Sequence, residues 1–104
     1  MDKEGIERWL KECDIFNYTI NDDLSVDVNG NVSINNLELS SIPFKFDCVS
    51  GDFVCMNNKL TSLEGCPEII GGHLNWSKNN IRSLEGCPVE IRCNFNCVNN
   101  NHPH

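Results

Sequence analysis

Apolar side chains return to the same places every 21 residues along most of this chain. GDFVCMNNKLTSLEGCPEIIG (51–71) stands above GHLNWSKNNIRSLEGCPVEIR (72–92), and GNVSINNLELSSIPFKFDCVS (30–50) fits the same frame. CNFNCVNNNH (93–102) begins a fourth, partial copy. One column reads Val32, Phe53, Leu74 and Phe95, and a second, two residues on, reads Ile34, Cys55, Trp76 and Cys97. Leu39, Leu60 and Ile81 make a third column and Ile42, Leu63 and Leu84 a fourth, while Val49, Ile70 and Ile91 recur near the end of each unit. Alternate residues of an extended segment share a side, so the first two columns predict a short strand in every copy with those residues facing in. Pro67, Pro88, Gly65, Gly71 and Gly86 turn the return path, where no helix is predicted. One copy cannot bury its own apolar side. Copies must therefore stack, and stacking needs neighbours of matching shape.

Ahead of the copies the period changes. Ile6, Trp9, Leu10 and Cys13 fall at helical spacing within residues 3–14, with Lys3, Glu4, Glu7, Arg8, Lys11 and Glu12 left on the other side. This predicts an amphipathic helix covering the first copy. YTINDDLSVDVNGNVSI then alternates apolar and polar residues, and Asn29-Gly30 is a strong two-residue hairpin signal. Strands at about 24–28 and 31–35 are expected to pair across it. The domain reading is a helix-and-hairpin cap over 1–29 and stacked copies over 30–104 (30–50, 51–71, 72–92 and 93–102), all in one compact unit.

Asn58, Asn79 and Asn100 stand between the second and third columns, with Leu37 breaking the series. F-V-C-M-N-N-K-L-T-S-L (53–63) and L-N-W-S-K-N-N-I-R-S-L (74–84) thus resemble the leucine-rich repeat, written L-x-L-x-x-N-x-L-x-x-L. The resemblance covers about residues 30–102. It implies an α+β, mainly β fold: a short leucine-rich-repeat-like solenoid with an N-terminal helix and β-hairpin cap. It also implies that each Asn turns inward to bond backbone groups where the chain leaves the strand. Ile70 and Leu74 are four apart, off the usual spacing, so the family's convex side is not carried over. The whole chain is similar to small leucine-rich-repeat proteins encoded in phage genomes, which implies a phage or prophage origin and work in the cytoplasm of an infected bacterial host.

Charge narrows the partners. Fifteen acids face eight bases, a net of −7; residues 1–30 contribute 8 − 3 = 5 of that surplus and residues 31–104 contribute 7 − 5 = 2. Such a field repels phosphate backbones, so nucleic acid is not expected, and a basic protein surface is favoured. No apolar run approaches the ~20 residues that span a bilayer, and no membrane association is expected. The charged start, MDKEGIERWLKECD, is unlike a signal peptide, and seven cysteines are an odd number. They read as reduced thiols.

Two constellations raise the question of chemistry. Cys93, Cys97, His102 and His104 bring together two thiols and two imidazoles, a zinc-type donor set. Against it, Cys93 takes the place of a glycine, Cys97 belongs to a core column, and C-x3-C is not the spacing of a zinc knuckle; no metal and no cofactor are expected. Cys66 and Cys87 share a column and read as small buried hydrophobes, with a facultative disulfide as the minor reading. Asp52 and His73 share another, about 5 Å apart on adjacent strands. They form a base and its orienter only if a nucleophile stands nearby, and none does. The protein is read as non-catalytic.

The outward positions of the strands remain. Asn31, Ser33 and Asn35 precede Asp52, Val54 and Met56, then His73, Asn75 and Ser77, then Asn94, Asn96 and Val98. Leucine-rich repeats bind partners on this concave side, and the last nine residues are the expected contact set. The function expected is a stoichiometric binding protein, inhibitory towards a host protein of antiviral defence. A sponge for a small nucleotide signal and a self-assembling structural piece are the alternatives. The fourth copy stops at Asn101-His102-Pro103-His104 with no polar closing unit, so homodimerisation through that end is a further expectation.

Overall fold

The computed structural model describes residues 1–83, 85, 86, 88, 90, 91, 95 and 96, the last four as backbone. It opens on α1, Lys3–Glu12. Asp2 caps the helix: its Oδ1 accepts the Gly5 N–H at 2.8 Å, satisfying one donor that the first turn leaves open. At the other end Asp14 takes a left-handed φ of 59°. Its N–H reaches the Lys11 carbonyl while the Ile15 N–H reaches back to Leu10, a closure that satisfies two carbonyls of the last turn. Ile6 and Leu10 are fully buried, and Trp9 and Cys13 pack beside them, as the helical spacing predicts.

The hairpin lies elsewhere than the sequence suggests. β1 (Tyr18–Ile20) pairs antiparallel with β2 (Val26–Val28), placing Thr19 opposite Asp27. The turn between them is Asn21 to Ser25, with Leu24 at a φ of 68°. Asn29-Gly30 forms no hairpin, because β3 (Val32–Ser33) belongs to a different sheet from β2. The physical reason is local: the Gly30 N–H donates to Ser50 Oγ at 2.9 Å and its carbonyl accepts the Gly51 N–H at 2.9 Å. Those bonds run to a later segment and leave no two-residue reversal.

From there the chain alternates between two sheets. β4 (Phe46–Val49), β6 (Ile69–Ile70) and β8 (Glu90–Ile91) extend the first, in the order β1-β2-β4-β6-β8. β5 (Phe53–Val54), β7 (Leu74–Asn75) and β9 (Phe95–Asn96) extend the second, in the order β3-β5-β7-β9. Val32 pairs with Phe53, Phe53 with Leu74 and Leu74 with Phe95, so the column read from the sequence is a row of parallel partners. In the other sheet Val49 pairs with Ile70 and Ile70 with Ile91. That sheet was not foreseen, although the recurrence of Val49 and Ile70, both buried in it, was. The fold is α+β and mainly strand: one helix and two open sheets among the described residues.

Both sheets drain into one core. Val26, Val28, Phe46, Val49 and Ile70 come from the first, and Val32, Ile34, Phe53, Cys55, Leu74 and Trp76 from the second. Leu60, Leu63, Cys66 and Ile81 are buried in the same cluster. A chain of aromatic rings crosses it. Trp9 meets Phe44 edge-on at 5.3 Å, Phe44 lies 4.9 Å from Phe46, and Phe46 meets Phe53 edge-on at 5.1 Å. Helix, first sheet and second sheet are thereby joined through geometries in which the positive edge of one ring meets the negative face of the next. Residue 29, the last of the expected cap, is where the chain crosses from one sheet to the other.

Phe46→Ala should cost about 3–5 kcal/mol, since it empties a fully buried position between the rings of Phe44 and Phe53; a fall in the urea midpoint with unchanged slope measures it. In the β1–β2 turn, the Ser25 hydroxyl donates to Asp23 Oδ1 at 2.6 Å and the Ser25 N–H at 3.0 Å. These bonds, the hydroxyl's first, hold the Asp23 carboxyl below its ordinary 3.8. The fold thus favours the carboxylate, so this contribution to stability is present above pH 3.8 and is lost as the pH falls through the depressed value. An NMR titration should find the Asp23 midpoint below 3.8, and Ser25→Ala should move it upward.

Candidate functional site

The outer side of β3-β5-β7-β9 is built by simple alternation. Phe53, Cys55, Leu74 and Trp76 point into the core with exposures of 0–1 %, so Val54 and Asn75 between them point out, flanked by Asp52, Met56 and His73. Asp52, Val54, Met56 and Asn75 are half-buried and His73 is exposed. Ser77 differs from expectation. It is 8 % exposed, its N–H donates to Asn75 Oδ1 at 2.9 Å, and its hydroxyl bonds the same oxygen. The chain has already begun to turn at Ser77, so the alternation that places Asn75 outward no longer applies. Asn94 and Val98 lie outside the described residues, and Asn96 is seen as backbone paired with Asn75.

Polar side chains just before and just after these strands hold the next strand in place. Asn31 Oδ1 accepts the Asp52 N–H, Asp52 Oδ1 accepts the His73 N–H, and Asn35 Oδ1 accepts the Met56 N–H, each at 2.8 Å. Asp52 Oδ1 therefore meets His73 through a backbone amide, a structural bond that asks for no proton transfer. Glycine is required beside this ladder. The Gly51 N–H reaches the Gly30 carbonyl and the Gly72 N–H the Gly51 carbonyl, both at 2.9 Å. A Cβ on Gly51 would come 2.8 Å from the Gly30 oxygen, and one on Gly72 would strike Asp52 Oδ1.

The strand exits are governed by the recurrent asparagines. Asn58 Nδ2 donates to the carbonyls of Ile34 (2.9 Å), Cys55 (3.2 Å) and Met56 (3.2 Å), while Oδ1 accepts the N–H groups of Leu37 and Leu39 at 3.0 and 3.1 Å. Asn79 Nδ2 donates to Cys55 and Trp76 at 2.8 Å and to Ser77 at 3.3 Å, and its Oδ1 accepts the Leu60 N–H at 3.0 Å. Each amide thus serves its own strand and the strand before it. The second half of that duty was not legible in the sequence. Leu37, where the series breaks, is 44 % exposed. Just before each exit Asn36, Asn57 and Lys78 take left-handed φ values of 60°, 56° and 58°, a conformation that asparagine tolerates better than most residues.

Sequence reasoning also missed a second surface. On the outside of the five-stranded sheet a shallow hollow of about 470 Å³ is lined by Phe16, Thr19, Asp27, Asn29, Cys48 and Ser50 among others. Asp27 Oδ1 accepts the Cys48 N–H at 3.1 Å, so the outer rows of this sheet are held as those of the other are. The only signal was the 21-residue separation of Asp27 and Cys48.

Four of the seven cysteines lie among the described residues. Cys55 and Cys66 are buried, and Cys13 and Cys48 half-buried; none of the four is in a disulfide. Burial, then Glu12 and Asp14, pushes the Cys13 thiol up, which disfavours the thiolate nucleophile. Cys87, Cys93, Cys97, His102 and His104 lie outside the described residues, and with them the zinc-type set and the end through which a homodimer was expected. Among the described residues no three His, Cys, Asp or Glu side chains come together as metal ligands, and no helix is long and apolar enough to cross a membrane. Family models, curated proteins and solved structures return no match to this chain.

Asn79→Ala should destabilise by about 2–3 kcal/mol, because it orphans buried donors and acceptors on two strands at once. Asn79→Asp should also destabilise, since a carboxylate cannot donate to the Cys55 and Trp76 carbonyls. Chemical denaturation of both variants tests the pair.

Proposed function

We propose that this protein is a short leucine-rich-repeat-like solenoid that binds another protein through the outer side of β3-β5-β7-β9 and catalyses nothing. The solenoid reading draws support from the row Val32, Phe53, Leu74 and Phe95 in parallel register and from two asparagines with the same bonding duty. The binding reading rests on one observation above all. Val54 and Met56 stay half-exposed at the centre of a face whose polar groups are largely spent on backbone bonds. A surface whose amides and carboxylate are already engaged keeps apolar contact and shape as its means of recognition. Met suits such a surface, because its flexible thioether adapts to the partner.

The finer reading is a stoichiometric inhibitor of a bacterial host protein, in the context of antiviral defence. It follows from the likeness to phage-encoded repeat proteins. The acid surplus of residues 1–30 steers a basic target towards the chain. Affinity capture from bacterial lysate, with the bound protein identified by mass, should recover a partner at fixed stoichiometry whose activity falls as the protein is titrated in. Met56→Asp should keep the wild-type denaturation midpoint and lose at least tenfold in affinity for that partner. Undiminished binding by this variant would move the contact off this face.

A further inference from the structure

We propose that the free edge of β1 accepts an extended cationic peptide segment of a partner as an added strand. Among the described residues β1 is the terminal strand of its sheet, with β2 as its one neighbour. The Asn29 N–H bonds the Asn17 carbonyl and the Asn21 N–H bonds the Ser25 carbonyl, both at 2.8 Å, on either side of the Thr19–Asp27 pair. In an antiparallel ladder the bonded positions alternate. Residues 17, 19 and 21 therefore face β2, and Tyr18 and Ile20 turn their N–H and C=O groups away from it. That leaves two residues' worth of outward donors and acceptors on a segment kept extended over five residues.

Edges of this kind are ordinarily blunted by lysine, proline or a covering element. Residues 15–21, Ile-Phe-Asn-Tyr-Thr-Ile-Asn, contain no charge and no proline. Phe16 at their start is 64 % exposed, and with Thr19 and Cys48 it borders the hollow on the outer side of the sheet. An incoming strand would take its affinity from main-chain bonds to Tyr18 and Ile20 and its selectivity from alternate side chains beside Thr19 and the hollow.

Charge decides the occupant. Between Lys11 and Lys45 stand Glu12, Asp14, Asp22, Asp23, Asp27 and Glu38, and no Lys, Arg or His. A second copy of this chain would bring the same carboxylates face to face. A lysine- or arginine-bearing strand meets them with opposite sign, and its encounter is accelerated at low salt. This edge belongs to the other sheet from the Val54–Met56 face, and its use does not depend on that face binding anything.

The test is an alternating Lys-Val octapeptide titrated into the full chain, read by hydrogen exchange of individual amides. Tyr18 and Ile20 should gain protection, while Thr19, already bonded to β2, stays unchanged. Ile20→Pro removes an outward donor without touching the ladder to β2 and should weaken the peptide at least tenfold. Asp14→Lys/Asp22→Lys, which leaves the edge intact, should do the same, as should a Glu-Val octapeptide in place of the Lys-Val one. Protection arising on other strands, or equal binding of the Glu-Val peptide, would overturn the proposal. So would protection of Tyr18 and Ile20 that grows with protein concentration in the absence of peptide, which would make a second copy the occupant. Loss of peptide binding in Met56→Asp alone would assign the peptide to the other face.

Discussion

The contact between Phe46 and Phe53 holds this molecule together in a way that its backbone bonds alone cannot. Apart from β1, β2 and β4, each strand is two residues long, and a two-residue strand makes too few ladder bonds to stand by itself. The two sheets persist because their inner sides close on one another, and the edge-on meeting of these rings at 5.1 Å is the place where they touch. Trp9 and Phe44 continue the same line of rings to the helix. One helix face, one inner row from each sheet and the exit residues Leu60 and Leu63 therefore make a single apolar cluster.

Given that core, the polar residues look after the backbone. Short strands create many ends, and every end exposes amide and carbonyl groups that are costly to bury unpaired. Asn31 and Asp52 settle the entrances, while Asn35, Asn58 and Asn79 settle the exits. Side chains that would make the outer face of the second sheet hydrophilic are drawn into structural bonds, and the half-buried Val54 and Met56 are the apolar groups among them.

Much of this was legible in the sequence, for a clear reason. The inward columns repeat at a fixed interval, and buried positions tolerate few residue types, so the Val32–Phe53–Leu74 row could be read directly, while the inward turn of Asn58 and Asn79 followed from the likeness to the leucine-rich repeat. The five-stranded sheet was harder. Cys48 and Ile69 point out and Val49 and Ile70 point in, but a run of two to four residues is too short to display a period. Asn29-Gly30 misled because its propensity is local, whereas the bonds that decide its conformation come from Ser50 and Gly51. Ser77 misled because alternation was carried one step past the end of the strand. β1 was hidden as three residues between a helix and an acidic turn.

The carbonyl-to-amide contacts along Gly30, Gly51 and Gly72 have a consequence for how such a chain can change over time. They press main chain against main chain, so the spacing between neighbouring strands is fixed by atoms common to every residue type. Side-chain substitutions can alter the faces while the pitch stays constant. Gain or loss of a single residue between Gly30 and Gly51, or between Gly51 and Gly72, would throw one corner out of step with the next and break the contact between them.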